Sequence, residues 1–276
     1  MKHIILFSGG VGSWMAARRV KEQYGSKDMI LLFTDTLIED QDLYRFLLDA
    51  WKDIGGQFFH IAEGRNPWEV FFDRKRMGSP EADPCAMVLK RDLADKWIKE
   101  RFQPDEVTCY VGIDWSEINR YEGGNKLSNG KISLGLRKRK LPYVYLAPMI
   151  SPPYLTKAQM IDELKKSRID PPRLYEMGFP HNNCGGFCVK AGQAHFKLLL
   201  RNFPERYKHH EEKEQEFRNS MARPEKGEVI RDVSILRNRV GGPVKTLTLK
   251  QHRLNIEASQ PIDELDFGGC GCFMDE

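Results

Sequence analysis

The chain has 276 residues, enough for one large domain or a domain with a smaller appendage, and its 41% apolar and 11% aromatic content is ordinary for a soluble globular protein. No apolar run approaches the roughly 18 residues that span a bilayer. The N-terminal run is shorter than the about 7–15-residue core of an export signal, so a cytoplasmic protein with no membrane partner is expected. A net charge of +4 permits a nucleic-acid partner without demanding one. In that compartment the six cysteines point to metal binding or catalysis rather than to disulfides. No internal repeat or low-complexity tract is present.

The first element is a short apolar strand over His3 to Phe7, followed by the turn Ser8-Gly9-Gly10-Val11-Gly12-Ser13 and a helix with Ala16, Ala17 and Val20 inward. A strand feeding a glycine-rich turn that opens a helix aims several backbone N–H groups and a positive helix end at one spot. Two serine hydroxyls flank the turn, so the spot suits an anionic phosphate. A Walker A loop would need a Lys-Ser/Thr pair after Gly12, where Ser13-Trp14 stands. A dinucleotide fingerprint would need glycine at position 15, which is Met15. The turn resembles a third kind, the Ser-Gly-Gly-x-x-Ser loop of the ATP pyrophosphatases, although a tight structural connection is the competing reading. That loop often carries an acidic residue where this chain has Gly12, which questions any carboxylate from the loop holding magnesium.

A second buried strand over Asp28 to Phe33 ends in Thr34-Asp35-Thr36. Asp40 to Gly55 predicts a helix with Leu43, Phe46, Leu47 and Trp51 on one face, and Gln57 to Ile61 a third strand. Pro67 opens another helix. After a loop over Gly78 to Asp83, Pro84 starts a helix to about Phe102. Val107 to Ile113 and Val144 to Met149 complete five strands. Strands alternating with helices predict an α/β fold, a twisted parallel sheet with helices on both faces, whose ligands sit at the carboxyl ends of the strands. Gly123 to Lys140 reads as a polar loop over that edge, and Thr156 caps a helix to about Ser167. Beyond Gly185 the pattern is mainly helical: Gln193 to Asn202, Pro204 to Met221, Val229 to Arg239 and Thr246 to Glu257, then the tail. Residues 1–190 are expected as the nucleotide-binding α/β domain and 191–276 as a helical region with a cysteine-bearing tail.

The segment from Ile169 through Pro171-Pro172-Arg173-Leu174-Tyr175-Glu176-Met177-Gly178-Phe179 to Cys184-Gly185-Gly186-Phe187-Cys188 resembles the Pro-Pro-x-Leu-Tyr-x-x-Gly-Phe segment and cysteine turn of the phosphoadenosine phosphosulfate (PAPS) reductase family. Phe33 to Thr36, Pro84 to Arg91, and Gly112 to Glu117 with Arg120 are also similar. The likeness covers residues 3 to about 190. It implies an adenine nucleotide alpha hydrolase-like, Rossmann-like fold. It also implies one of two chemistries: adenylation of an acceptor by ATP followed by sulfur transfer, as in tRNA and DNA thiolation, or reduction of an adenylyl sulfate (APS or PAPS) by a tail cysteine. A third reading, favoured by Gly12, is a nucleotide-binding regulator without turnover.

On this resemblance Ser8, Gly9, Gly10, Val11, Gly12 and Ser13 hold phosphates. Asp35 either contacts nucleotide or magnesium or serves as a cap or turn residue. Lys90 and Arg91 follow Cys85 by five and six residues. On a helix Cys85 and Lys90 lie about 140° apart and need not share a target. One of the two cations reaches phosphate or substrate, or both sit on a solvated face. Arg120 contacts substrate or phosphate, or only pairs with Glu117. The run Arg137 to Lys140 is a solvated loop or a phosphate-backbone contact. Tyr143 and Tyr145 alternate on a strand, which favours packing over base stacking.

Cys184 and Cys188, with Cys270 and Cys272, form two close pairs flanked by glycines. Four such thiolates suit Zn2+ or a [4Fe-4S] cluster. Alternatively Cys270 and Cys272 ride a mobile tail and deliver a thiol as catalytic groups. Cys85 is a further candidate near the site, whereas Cys109, inside a strand, reads as core. His181 reads as polar surface or a mixed ligand. The expected cofactors are ATP, or PAPS or APS, with Mg2+ offsetting phosphate charge. The expected partners are an adenine nucleotide, tRNA or DNA as acceptor, and a sulfur-donor protein or thiol reductant. An oligomer stays open.

Overall fold

A computed structural model describes residues 1–79, 83–126, 132–138, 141–238 and 243–269. Strands β1 (Lys2–Leu6), β2 (Met29–Asp35), β3 (Gln57–Ala62), β4 (Val107–Tyr110) and β5 (Val144–Leu146) form one parallel sheet in the order β3-β2-β1-β4-β5. The fold is therefore α/β, as the alternation of elements predicts. From β1 the chain winds outward through β2 and β3, then returns to the other side of β1 for β4 and β5. The order reverses between β1 and β4, and a crevice opens there beyond their carboxyl ends.

Side chains alternate across the sheet with a period of two. Ile5, Met29, Leu31 and Phe33 pack on one face against α1 (Val11–Tyr24) and α2 (Gln41–Ile54), through Val11, Ala17, Leu43, Phe46 and Leu47. Ile4, Leu6, Ile30 and Leu32 pack on the other, with Trp97 and Ile98. Burial on both faces explains why β1 and β2 read as unbroken apolar runs. The bounds of α2 are those of its sequence signals. Asp40 is the N-cap and accepts from the Asp42 amide at 3.1 Å, and Gly55 closes the helix at φ 79°.

The stretch from Pro84 departs from a single α-helix. Pro84–Ala86 is α-helical, Met87–Asp92 is π-helical, and α-helix resumes at α4 (Leu93–Lys99). A π segment bonds residue i to i+5, which brings positions five apart toward one side. Cys85 and Lys90 accordingly line one cavity instead of diverging by about 140°.

The expected loop over 123–140 is in its described part a hairpin, Gly123–Lys126 against Ile132–Leu134. Arg139 and Lys140 lie outside the described residues. Helix α5 (Lys157–Lys166) starts at Thr156 with a complete capping box. Helices α6 (Gln193–Asn202) and α7 (Pro204–Ser220) follow, and α8 (Leu249–Glu257) is capped by Thr248. The expected helix over Val229 to Arg239 does not form. Leu236–Asn238 pairs antiparallel with Lys245–Leu247, and the Ile235 amide donates to Glu214 of α7 at 2.9 Å. Val229, Ile230, Val233 and Ile235 are β-branched and favour extended chain once those partners exist.

A third core joins Trp68 and Phe71 of α3 (Pro67–Arg74) and Leu89 with Leu174, Phe187, Phe196, Tyr207, Phe217 and Leu249. The boundary expected at residue 190 falls inside this core. Among the described residues no helix is long and apolar enough to cross a membrane.

Candidate functional site

The turn after β1 packs tightly. Gly9 takes φ 75°, Gly10 is the N-cap of α1, and Ser13, which is buried, donates through Oγ to the Gly10 carbonyl at 2.8 Å. Ser8 Oγ lies 3.3 Å from Ser13 Oγ. No side chain caps α1 and its first turn holds no acidic residue, so its positive end is not neutralised from within the helix. A Cβ added at Gly12 would stand 3.0 Å from the Gly112 carbonyl oxygen, and one at Gly112 would stand 2.7 Å from the Ser13 nitrogen. The loop after β1 and the loop after β4 touch backbone to backbone. That contact favours glycine at position 12, since any Cβ there would press on the Gly112 carbonyl.

Beyond these loops lies a cavity of about 470 Å³ at the switch point of the sheet. Ser8, Gly10, Val11, Gly12 and Ser13 line one wall, and Gly112, Asp114, Glu117 and Arg120 line another. Lys157 and Tyr175 add a cation and a phenol. The Tyr175 hydroxyl accepts from the Val11 amide at 3.3 Å, so the Pro171 to Phe179 segment reaches directly onto the glycine-rich loop. Arg173 anchors that segment by donating to buried Asp40 through Nε and Nη2 at 2.7 and 2.8 Å, and Arg206 joins at 3.2 Å. Burial alone would raise the Asp40 carboxyl. The hydrogen bonds from Arg173 and the Asp42 amide outweigh it and hold the group below the usual carboxylate range.

His181 lines the same cavity, correcting its reading as polar surface. Its ring stacks on His195 at 4.9 Å, and neither ring nitrogen has a hydrogen-bond partner among the described residues. Burial and the neighbouring His195 push its pKa well below the ordinary histidine value, so it offers a neutral donor and acceptor. Asn182 beside it donates to the Gly9 carbonyl at 3.3 Å. Sequence carried one signal for both, their place between the Pro-Pro segment and the cysteine turn.

Arg120 lies in the cavity wall and pairs with Glu117 at 2.5 Å. Asp35 does not line this cavity. It is buried, accepting from the Leu37 amide at 2.7 Å and the Tyr44 hydroxyl at 3.0 Å, with His60 at 2.7 Å. It acts as the turn residue of the β2 end. Arg137 pairs with Glu122 at 2.8 Å. Tyr143 and Tyr145 bond the Phe102 carbonyl and Asp95, which is packing, and Cys109 is fully buried with its thiol pushed up to about 12 by burial.

Cys85, Cys184 and Cys188 line a second, small cavity together with Thr36, Asp83 and Lys90. Lys90 is therefore beside the thiols rather than in the nucleotide-sized cavity, with Nζ 3.5 Å from buried Glu39. Arg91 pairs with Asp83 at 3.3 Å. Cys184 has φ 53°, its amide donates to Glu39, and its Sγ is 4.0 Å from Thr36 Oγ1. The flanking Gly185 is required for a different reason than wrapping a metal. At φ 59°, its Cβ would come within 2.5 Å of the Ile38 carbonyl, so it lets the turn dock on the β2–α2 connection.

The two cavities meet at the base of the tail. Gly268 bridges Ala191, and the Gly269 amide donates to the Lys190 carbonyl at 2.9 Å. Gly268 and Gly269 line the larger cavity, and the Gly269 carbonyl stands 4.0 Å from Cys188 Sγ. Cys270 and Cys272 lie outside the described residues. Among the described residues no group of three or more His, Cys, Asp or Glu is arranged to hold a metal ion. The described thiols alone therefore do not form a zinc or iron–sulfur ligand set. Magnesium asks less, one or two carboxylates plus phosphate oxygens, and Asp114 and Glu117 in the cavity wall are donors of that type.

The fold and site thus define an α/β protein with an anion-ready loop at its topological switch point. No family model matches the chain, and no curated protein gives a significant match. Among solved structures it is similar to phosphoadenylyl-sulfate (PAPS) reductase from Candida auris in its phosphate complex. The identity is 14%, covering 64% of this chain and 77% of that one, with a TM-score of 0.38. It is also similar to a predicted subunit of tRNA methyltransferase from Methanocaldococcus jannaschii. There the identity is 17%, covering 63% of this chain and 91% of that one, with a TM-score of 0.33.

Proposed function

We propose that this chain is an enzyme of the ATP-pyrophosphatase type that adenylates an acceptor, a nucleic-acid base, and supports its thiolation. One observation carries the reading: a single cavity is walled by the Ser8 to Ser13 loop and by Gly268 and Gly269, the residues directly before Cys270. A nucleotide on the loop and a sulfur near the tail would share that space.

The uncapped start of α1 and the hydroxyls of Ser8 and Ser13 bind the phosphates. Arg120 and Lys157 supply positive charge where pyrophosphate departs. Bound magnesium, on Asp114 and Glu117, would offset the charge of the triphosphate. The acceptor's carbonyl oxygen attacks the α-phosphorus, and the bond to the bridging oxygen of pyrophosphate breaks. Sulfur at the sulfide level, from a donor, then attacks the activated carbon, and AMP leaves with the original oxygen. His181, neutral, is positioned to hold or pass a proton in the wall.

The same tail observation favours a second reading, a sulfonucleotide reductase. A Cys270 or Cys272 thiolate would attack the sulfur of PAPS or APS and expel the nucleotide phosphate. A thiol reductant, itself becoming a disulfide with that cysteine, would then release the sulfur as sulfite.

The test is product analysis with radiolabelled ATP, tRNA or DNA, and a sulfide donor. AMP and pyrophosphate in equal amounts, lost in Ser13→Ala and Arg120→Ala, are expected. Sulfite released from PAPS or APS with a thiol and no ATP would replace this reading by the second. ATP binding without product under either condition would leave only a regulator.

A further inference from the structure

A second large cavity, about 560 Å³, opens in the C-terminal half of the molecule. Three stretches remote in sequence build it: residues 75–79 after α3, the end of α7 with Met221 and Arg223, and the extended segment 231–237. Five cations line it, namely Lys75, Arg76, Arg223, Arg231 and Arg237, and among the described residues no acidic side chain does. Arg231 is offset by Glu228 at 3.4 Å. Arg237 is fixed on the Ser234 and Leu236 carbonyls at 2.6 and 3.1 Å. Lys75, Arg76 and Arg223 enter no ion pair among the described residues. Lys75, Arg76 and Arg223 gathered around one concavity repel one another, and a polyanion relieves that repulsion.

Met77, Phe217, Met221 and Val233 give the cavity an apolar floor. A cationic rim over an apolar floor, at a volume typical of ligand sites, matches a unit with a flat apolar part between phosphates. Position adds to this. A Cβ on Gly78 would stand 2.7 Å from Val189 Cγ2, and Val189 lines the cysteine cavity. Gly78, between Met77 and Ser79 of the basic cavity, thus packs against Val189 of the cysteine cavity.

We infer that the basic cavity docks a strand of nucleic acid. Lys75, Arg76 and Arg223 take its backbone phosphates, and one nucleoside rests on the apolar floor. The docked strand lies next to the cysteines. The inference rests on the reading of the acceptor as a nucleic acid for its choice of ligand, but it is tested without ATP, so adenylation and docking fail separately.

The experiment is fluorescence anisotropy of a labelled single-stranded oligonucleotide on the full chain, without ATP, across a salt series. Arg76→Ala/Arg223→Ala is expected to weaken binding roughly tenfold or more at about 0.1 M salt. The slope of log K against log salt should flatten by about 1.4, near 0.7 for each strand phosphate that is no longer neutralised. Arg76→Lys/Arg223→Lys should keep the wild-type slope, and Lys99→Ala/Lys165→Ala, on exposed helix faces, should leave affinity and slope unchanged. If the double alanine variant does not fold, Lys75→Ala decides alone, with a slope change of about 0.7. Wild-type affinity and slope in the folded cavity variants overturn the proposal, as does an equal weakening in the Lys99/Lys165 variant. Displacement of the oligonucleotide by excess free ATP also overturns it, because the site would then take a free nucleotide.

Discussion

Gly12 shows what a single residue decides. In sequence it stands where the loops it resembles often carry an acid, and raises the question of lost activity. In the fold its Cα faces the Gly112 carbonyl so closely that a Cβ would stand 3.0 Å from that oxygen. A carboxylate there would meet both a steric and an electrostatic barrier. Gly12→Asp is expected to lower stability by about 1–3 kcal/mol and to weaken ATP binding, read by denaturation midpoint and isothermal titration. An Asp variant as stable and as tight as wild type would show that the two loops separate freely. His181 is the opposite case. A lone histidine near a turn carries no local sign of function, and only the folding of residues 169–188 onto the glycine-rich loop brings it into the cavity wall.

Elements with strong local signals were legible in the chain. Asp40, Gly55, Thr156 and Pro204 mark helix ends that hold to within a residue, because caps act on the backbone beside them. Elements whose amides find distant partners were not. The segment before Asn238 stays extended because Glu214, across in α7, accepts the Ile235 and Leu249 amides at 2.9 and 2.6 Å. Burial pushes the Glu214 carboxyl up to about 7, against its ordinary 4.5. A carboxyl raised on folding contributes stability that is complete below about pH 4.5 and falls away as pH rises toward 7. Glu214→Gln should therefore flatten the pH dependence of the melting temperature between about pH 4.5 and 7, measured by calorimetry. An unchanged pH profile would mean that Glu214 ionises as freely in the fold as in the open chain. The π-helical turn over Met87–Asp92 belongs to the same class, since it aligns Cys85 with Lys90 against cysteines far along the chain, Cys184 and Cys188.

At the scale of the whole molecule, the buried residues gather into three cores. Phe187 belongs to the third core and stacks on His210 at 3.6 Å and on Trp68 at 5.6 Å, while its neighbours Gly186 and Cys188 shape the cysteine turn. Phe187→Ala should cost about 3–5 kcal/mol and should raise the rate at which Cys188 reacts with a thiol reagent, followed by mass spectrometry. Unchanged reactivity in a destabilised variant would separate the turn from that core. By itself the sequence determined the class of fold, the parallel sheet and the glycine-rich turn between β1 and α1, since alternating elements, apolar runs and a glycine turn are local properties of the chain. The tertiary structure alone decided which distant side chains share a wall. It brought Tyr175 onto the loop and His181 into the same cavity wall, left Asp35 outside that cavity's lining, placed Lys90 beside the thiols, and set Gly268 and Gly269 beside Cys188. Such meetings follow from strand order and long-range packing, which no window along the chain contains.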